Sequence, residues 1–199
     1  MNMKTNDEKL YKLLYGNFVH KDWQRLTGVY HSNGFIYASN GYIVAKIERD
    51  YPVEKESKSI DKAGNLIQAA GYESVLTKNS EYVKMDLDMD RLRVATKKVY
   101  RLKNTFIDLG LHPVEHKGYE KIITFRSDLL EAAFKLFELL HERFDVYMRN
   151  VSSIEYGRLI FKSIDSNTIV EISIVLSKTG SRDGVFTIEE AVNYEKVAA

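Results

Sequence analysis

The stretch Thr27-Gly28-Val29-Tyr30-His31-Ser32-Asn33-Gly34-Phe35-Ile36-Tyr37-Ala38-Ser39-Asn40-Gly41-Tyr42 decides the fold. Asn33-Gly34 and Asn40-Gly41 lie seven residues apart, and Asn-Gly is the pair that most readily takes up the positive φ angles of a tight hairpin turn. Around them the chain is rich in β-branched and aromatic residues, which suit a pleated, half-buried surface. The spacing predicts an antiparallel meander, with strands over 26–31, 35–38 and 42–48 and turns at 32–34 and 39–41.

Upstream, Thr5 and Glu8 fit a capping box, Leu10, Leu13 and Leu14 form an apolar stripe, and Gly16 can end a short helix. Downstream, residues 51–72 read as a polar connector with a short apolar element at Leu66-Ile67. Residues 82–88 read as extended, and Asp88 or Asp90 can cap a helix running to about Leu102. Strands are expected at 105–111 and 120–125. A second long helix starts at Ser127 or Asp128, with Glu131 completing a box if Asp128 is the cap. Its residues Leu130, Ala133, Phe134, Phe137 and Leu140 share a face. Strands over 144–149, 158–164 and 168–176 close the pattern, followed by a polar tail in which 188–197 can form a last short helix. Short helices recurring between antiparallel meanders give an α+β class, with antiparallel sheets and the helices packed on one face.

A length of 199 residues fits one domain or one and a half, and lets roughly 70% of the unfolded chain's surface be buried. Hydrophobic residues at 44% and charged residues at 29% argue against disorder and against a self-sufficient membrane protein. No stretch approaches the roughly 20 apolar residues that span a bilayer, and residues 1–8 lack the apolar core of a secretory signal. With no cysteine, disulfides, thiol nucleophiles and cysteine-bound zinc are excluded, and the cytoplasm is the simplest setting. Lys plus Arg total 29 against 28 for Asp plus Glu, a formal charge of +1. Any affinity for nucleic acid must therefore come from a local concentration of charge.

Motifs for chemistry are missing. There is no phosphate loop, nucleophile elbow or dinucleotide fingerprint, so no catalytic residue and no cofactor is expected. Asp86-Leu87-Asp88-Met89-Asp90 resembles the start of a calcium loop, but Arg91 stands where the loop needs glycine and Lys97 where it needs glutamate. A strand end and helix cap explain these aspartates better. In His112-Pro113-Val114-Glu115-His116 the proline prevents the helical geometry that would put both histidines on one face. This segment reads as a polar turn without metal.

The helix from Asp88 is the informative one. On a helical wheel Leu92, Ala95, Val99 and Leu102 cluster, while Arg91, Arg93, Lys97, Lys98 and Arg101 take the other side and Lys103 extends the run. Tyr100 and Phe106 bring aromatics nearby. Such a face fits an ordinary solvated surface, and it equally fits a row of cations for phosphates. The second helix opposes it with Glu131, Glu138 and Glu142 against Lys135 and Arg143. Trp23, just before the first strand, suits either a half-buried anchor or a partner contact.

The same residues resemble a family, the processivity (sliding) clamps of bacterial DNA polymerases. The run 27–42 is similar to the clamp meander, in which a Gly-Val strand leads to a turn, a strand and a Thr-Asp-Gly-like turn. Tyr72-Glu73-Ser74-Val75-Leu76 resembles the segment that enters the next clamp domain, residues 86–98 the first helix of a domain, and Phe125-Arg126-Ser127-Asp128-Leu129-Leu130 the start of its second. The likeness covers roughly residues 5–178. Asn40 replaces the usual Asp, and Thr77 follows Val75-Leu76 without the nearby proline. The resemblance implies a reduced, DNA-clamp-like protein in three parts: a partial unit over 1–71, a clamp-like domain over 72–178 and a tail over 179–199. It further implies a non-enzymatic role and, as partners, a double-stranded DNA backbone and a replication protein or peptide. The DNA-facing residues would be Arg91, Arg93, Lys97, Lys98, Arg101 and Lys103, with no membrane partner. A chain this short would need self-association to form a ring, with strand 168–176 as a candidate edge. A clamp-derived adaptor without DNA binding is the first alternative, and an enzyme with dispersed carboxylates the second.

Overall fold

The computed structural model describes residues 3–22, 26, 28–49, 58–61, 66–67, 76, 82–102, 104–113, 121–149, 157–173 and 184–195. In chain order these form α1 (Met3–Asn17), β1 (Gly28–Ser32), β2 (Phe35–Ser39), β3 (Ile43–Glu48), β4 (Lys58–Asp61) and β5 (Leu66–Ile67). They continue with β6 (Tyr82–Asp86), α2 (Met89–Val99), β7 (Phe106–Pro113), β8 (Lys121–Arg126) and α3 (Ser127–Leu140). The last are β9 (Phe144–Arg149), β10 (Arg158–Ser163), β11 (Ile169–Ser173), β12 (Val185–Thr187) and α4 (Ile188–Val192).

The meander forms where the Asn-Gly pairs place it. Asn33 and Gly34 have φ of 48° and 79°, the double positive φ of a type I′ turn, and Ser32 pairs with Phe35 across it. At the second turn Asn40 Oδ1 accepts from the N–H groups of Tyr42 and Ile43 at 2.9 and 3.0 Å, so β3 starts at Ile43, one residue later than expected. Among the described residues the strands form one sheet in the order β12-β7-β6-β9-β10-β11-β3-β2-β1-β4-β5, with β8 added on β7. The pairing of β12 with β7 is parallel; the rest is antiparallel, as in β3–β11 and β10–β11.

Strand alternation divides the side chains between two faces. Ile36, Ala38, Ile43, Ala45, Leu159, Phe161, Val170 and Ile172 enter one core together with Leu10, Leu14, Leu92, Val99, Phe134 and Phe137 from the helices. Tyr37 and Val44 turn to the opposite face and pack with Leu26. The helices lie side by side on the first face, with α1 against α3, α3 against α2, and α2 against α4. This is the expected α+β arrangement. Because α3 has helices on both flanks, Leu129, Ala132 and Leu136 are buried along with Leu130, Ala133, Phe134 and Phe137 of the expected stripe, while Leu140 is only half-buried.

Several local expectations change. Neither Ser127 nor Asp128 caps α3: its N-cap is Arg126, with no side-chain cap bond. The Ser127 hydroxyl is occupied by Thr105, 2.6 Å from its Oγ1, and the Asp128 carboxylate by Arg126. Glu131 is therefore not part of a box. His112 and Pro113 are not a turn but the end of β7, paired with Asp86 and Met85; His116 lies outside the described residues. The strand beginning near Thr168 is not an edge, because β11 is flanked by β10 and β3. β4 lies within the expected connector; its backbone pairs with β1 from Gly28↔Asp61 to His31↔Lys58.

Within the expected tail, β12 and α4 dock on β7 and α2. Gly184 makes the approach possible: its φ is +80°, and a Cβ there would sit 2.7 Å from the Asn104 carbonyl oxygen, the same turn whose Phe106 N–H donates to the Gly184 carbonyl at 2.8 Å. A Gly184→Ala substitution should cost about 1–2 kcal/mol from the left-handed backbone alone. Hydrogen exchange at the Phe106 amide should then accelerate by at least about fivefold, while β10 and β11 keep their protection. Unchanged exchange at Phe106 would mean that this hydrogen bond does not hold the strand.

Candidate nucleic-acid interface

Asp88 starts α2 in the way its sequence suggests. Its carboxylate accepts from the Arg91 N–H at 3.0 Å, satisfying one of the helix's unpaired donors. Leu92, Ala95, Thr96 and Val99 are buried, which turns the cations of α2 outward. The structure then separates those cations into groups that the wheel shows as one.

Arg91 and Lys98 lean toward α4. Arg91 Nη2 is 3.0 Å from Glu189 Oε2, and Lys98 Nζ donates to the Val192 carbonyl at 2.6 Å. Arg93 turns toward α3 and β9, with its guanidinium carbon 5.5 and 5.4 Å from the Phe134 and Phe144 ring centroids, within cation–π range. Lys97 and Arg101, one helical turn apart, stand exposed. Lys103 lies outside the described residues.

Two further residues complete this exposed pair. Lys135 of α3 carries its ammonium 4.6 Å from the Tyr100 ring centroid, and Arg101 Nε donates to the Tyr100 hydroxyl at 2.9 Å. The Arg101 hydrogen bond, helped by the charges of Lys135 and Arg101 itself, holds the Tyr100 hydroxyl below the usual phenol range. Lys135 is also 3.3 Å from Glu131, which is only 5% exposed and so contributes little negative surface. Glu142, half-buried just past the end of α3, accepts from Ser166 Oγ at 2.9 Å. Of the three carboxylates only Glu131 is withdrawn from solvent; Glu138 stands exposed beside the groove between α2 and α3.

Two open grooves flank the Lys135–Tyr100 pair. One, of about 500 Å3 between α2 and α3, is lined by Arg93, Lys97, Lys135, Glu131 and Glu138 among others. The second, of about 530 Å3, lies where the end of α2 meets the start of α3 and is lined by Tyr42, Tyr100, Arg101, Asn104, Arg126 and Asp128 among others. No local sequence signal links Tyr42 to Arg126 or Tyr100; the sheet and helix layers bring these distant segments together. The resulting surface can neutralise anions and offer aromatic rings. Among the described residues no three His, Cys, Asp or Glu side chains converge on a metal-sized site, and no helix is long and apolar enough to cross a membrane.

No protein-family model and no curated protein matches the sequence. The fold is similar to that of solved bacterial clamps. DNA polymerase III subunit beta from Borrelia burgdorferi, solved with a natural product, superposes with a TM-score of 0.59 at 13% identity, covering 88% of this chain and 63% of that one. The beta subunit from Thermotoga maritima gives 0.58 at 13% identity over 86% and 64%. The Helicobacter pylori beta clamp, solved with a DNA ligase peptide, gives 0.58 at 12% identity over 87% and 63%. The chain thus spans a little under two thirds of the length of these subunits, and what it shares with them is the α+β architecture of the DNA polymerase III beta sliding clamps.

Proposed function

We propose that this chain is a non-enzymatic, clamp-fold protein that lies on the double-stranded DNA backbone through its α2–α3 face and works beside a replication protein. The observation that carries this reading is the exposed row of Lys97, Arg101 and Lys135 around Tyr100, with the intervening Glu131 withdrawn from solvent. Lysine and arginine at such positions neutralise phosphates and release counterions, which provides affinity without reading bases. Arg91, Arg93, Lys98 and Lys103 complete the proposed DNA-facing set from the side of α2. The clamp architecture supports the replication setting, and the peptide on the Helicobacter pylori clamp is the model for a partner segment. A ring around DNA would take more than one copy, because one chain has under two thirds of a clamp subunit's length.

The test is duplex binding followed by fluorescence anisotropy across a salt series. Replacing Lys97 and Lys135 together with Glu should weaken binding to duplexes of any sequence alike. The salt slope should become shallower by about 0.9 for each phosphate no longer neutralised. Lys98→Glu should have a smaller effect, because its ammonium is already engaged by Val192. If the unaltered protein binds neither linear nor circular duplex at low salt, the DNA reading fails. The adaptor reading then leads; it has its own support in Arg91 and Lys98, whose charges α4 already occupies.

A further inference from the structure

The groove at the junction of α2 and α3 differs from a phosphate-tracking surface by carrying aromatic rings. Tyr42 is 53% exposed, yet its backbone is fixed at both ends. Its N–H donates to Asn40 Oδ1 at 2.9 Å, and its carbonyl accepts from the Ser173 N–H at 2.8 Å. The Arg126 guanidinium sits 5.7 Å from the Tyr42 ring centroid, held in place by a two-point pair with Asp128 at 3.0 and 2.6 Å. Tyr100 and Arg101 line the same groove, as does Asn104, whose amide can both donate and accept. An exposed ring on a fixed backbone, in a groove that two arginines also line, matches the chemistry by which single-stranded nucleic acid is held: a base on an aromatic face and cations for the backbone.

We propose that this groove holds one unpaired nucleotide of a DNA strand, with its base stacked on Tyr42 and its phosphate at Arg101 and Arg126. The volume of about 530 Å3 is in the range of small-ligand sites. A paired base is not accessible to Tyr42, because its faces are occupied by its neighbours in the stack. The arrival of the strand rests on the DNA-facing reading of α2, since Lys97 and Arg101 lead along the helix to the groove. An acidic peptide would use the arginines but has no use for an open tyrosine face, so the nucleotide is the better fit. Asp128 lowers the positive charge and favours a single phosphate over a run of acidic groups.

The experiment compares a short labelled oligo(dT) with a blunt duplex, on the full chain and on Tyr42→Ala and Tyr42→Phe. Loss of one stacking platform should weaken oligo(dT) binding about 5- to 150-fold in Tyr42→Ala. Tyr42→Phe should restore it, and duplex affinity should be unchanged in both. An oligonucleotide carrying 5-iododeoxyuridine should crosslink to Tyr42 on irradiation. Oligo(dT) binding that is equal in Tyr42→Ala and the unaltered chain, or a crosslink elsewhere, overturns the proposal. So does displacement of the oligonucleotide by polyglutamate at equal charge, which would mark a peptide site. Duplex binding without oligo(dT) binding defeats the groove alone; oligo(dT) binding that depends on Tyr42 without duplex binding supports the groove and defeats the backbone reading of α2.

Discussion

Replacing Phe137 with alanine is expected to lower the unfolding midpoint by about 6–20 °C. The range follows from about 3–5 kcal/mol for a buried Phe→Ala change and about 2–4 °C per kcal/mol in a domain of this size. Phe137 is fully buried and belongs to an aromatic group, its ring centroid 4.6 Å from that of Phe144. Phe144 in turn meets Phe161 at 5.4 Å, and Phe134 meets Phe161 edge-on at 5.8 Å. These rings join α3 to β9 and β10, directly beneath the α2–α3 groove. Removing one leaves a void that its stiff neighbours cannot close. A Phe137→Leu variant should lose much less, because it refills most of that volume. Thermal unfolding followed by circular dichroism decides the matter: a fall of less than about 3 °C in Phe137→Ala would contradict the packing of α3 on the sheet.

Glu171→Ala should be comparably damaging, for a different reason. Glu171 of β11 has a side chain 0% exposed, and it pairs at 2.9 Å with Arg158 of β10, whose side chain is 24% exposed. In the strand register Glu171 lies opposite Ile160, so Arg158 is its diagonal neighbour on the face away from the helices. Taking both charges out of water is costly, and removing either partner takes away the ion pair that offsets that cost, at up to about 3–5 kcal/mol for a fully buried pair. Arg158→Ala should therefore destabilise too. The double variant Arg158→Met with Glu171→Met should recover most of the loss, because two apolar groups need no counter-charge. Denaturant unfolding of the three variants tests this. If the double variant is as unstable as the singles, mutual attraction rather than desolvation governs the pair. Burial of the Tyr82 ring, together with the charge of the same Glu171 carboxylate, raises the Tyr82 hydroxyl above the usual phenol range.

The meander was legible because its signals are local: Asn33 and Gly34 dictate a backbone shape whatever surrounds them. The helices were legible from their periodicity, and the start of α2 from the aspartate before it. What escaped depends on partners far away in sequence. β4 has the sequence Lys-Ser-Ile-Asp, which carries little strand signal and becomes one by hydrogen-bonding to β1. Asp128 looks like a cap but is drawn off by Arg126, and β11 looks like an edge until β3 joins it. The interface shows the same division. A helical wheel places Arg91, Arg93, Lys97, Lys98 and Arg101 on one side, but it cannot show that α4 engages two of them or that Lys135 joins from α3. Nor does it bring Tyr42 and Arg126 to the end of the row.

The pairing of β3 with β11, which joins Ile43 to Ile172 and Ala45 to Val170, governs the order in which the chain can mature during synthesis. The meander emerges early, but the strand that covers one side of β3 is made only after everything from α2 to β10. At about 5–20 residues per second that interval is on the order of ten seconds. Throughout it, Ile43, Val44, Ala45 and Ile47 sit on an open strand edge, with the apolar residues that later fill the core still exposed. The nascent first half is thus a sticky, unfinished sheet, and a ribosome-bound fragment ending before Ile169 should need a holding chaperone that the completed chain no longer recruits.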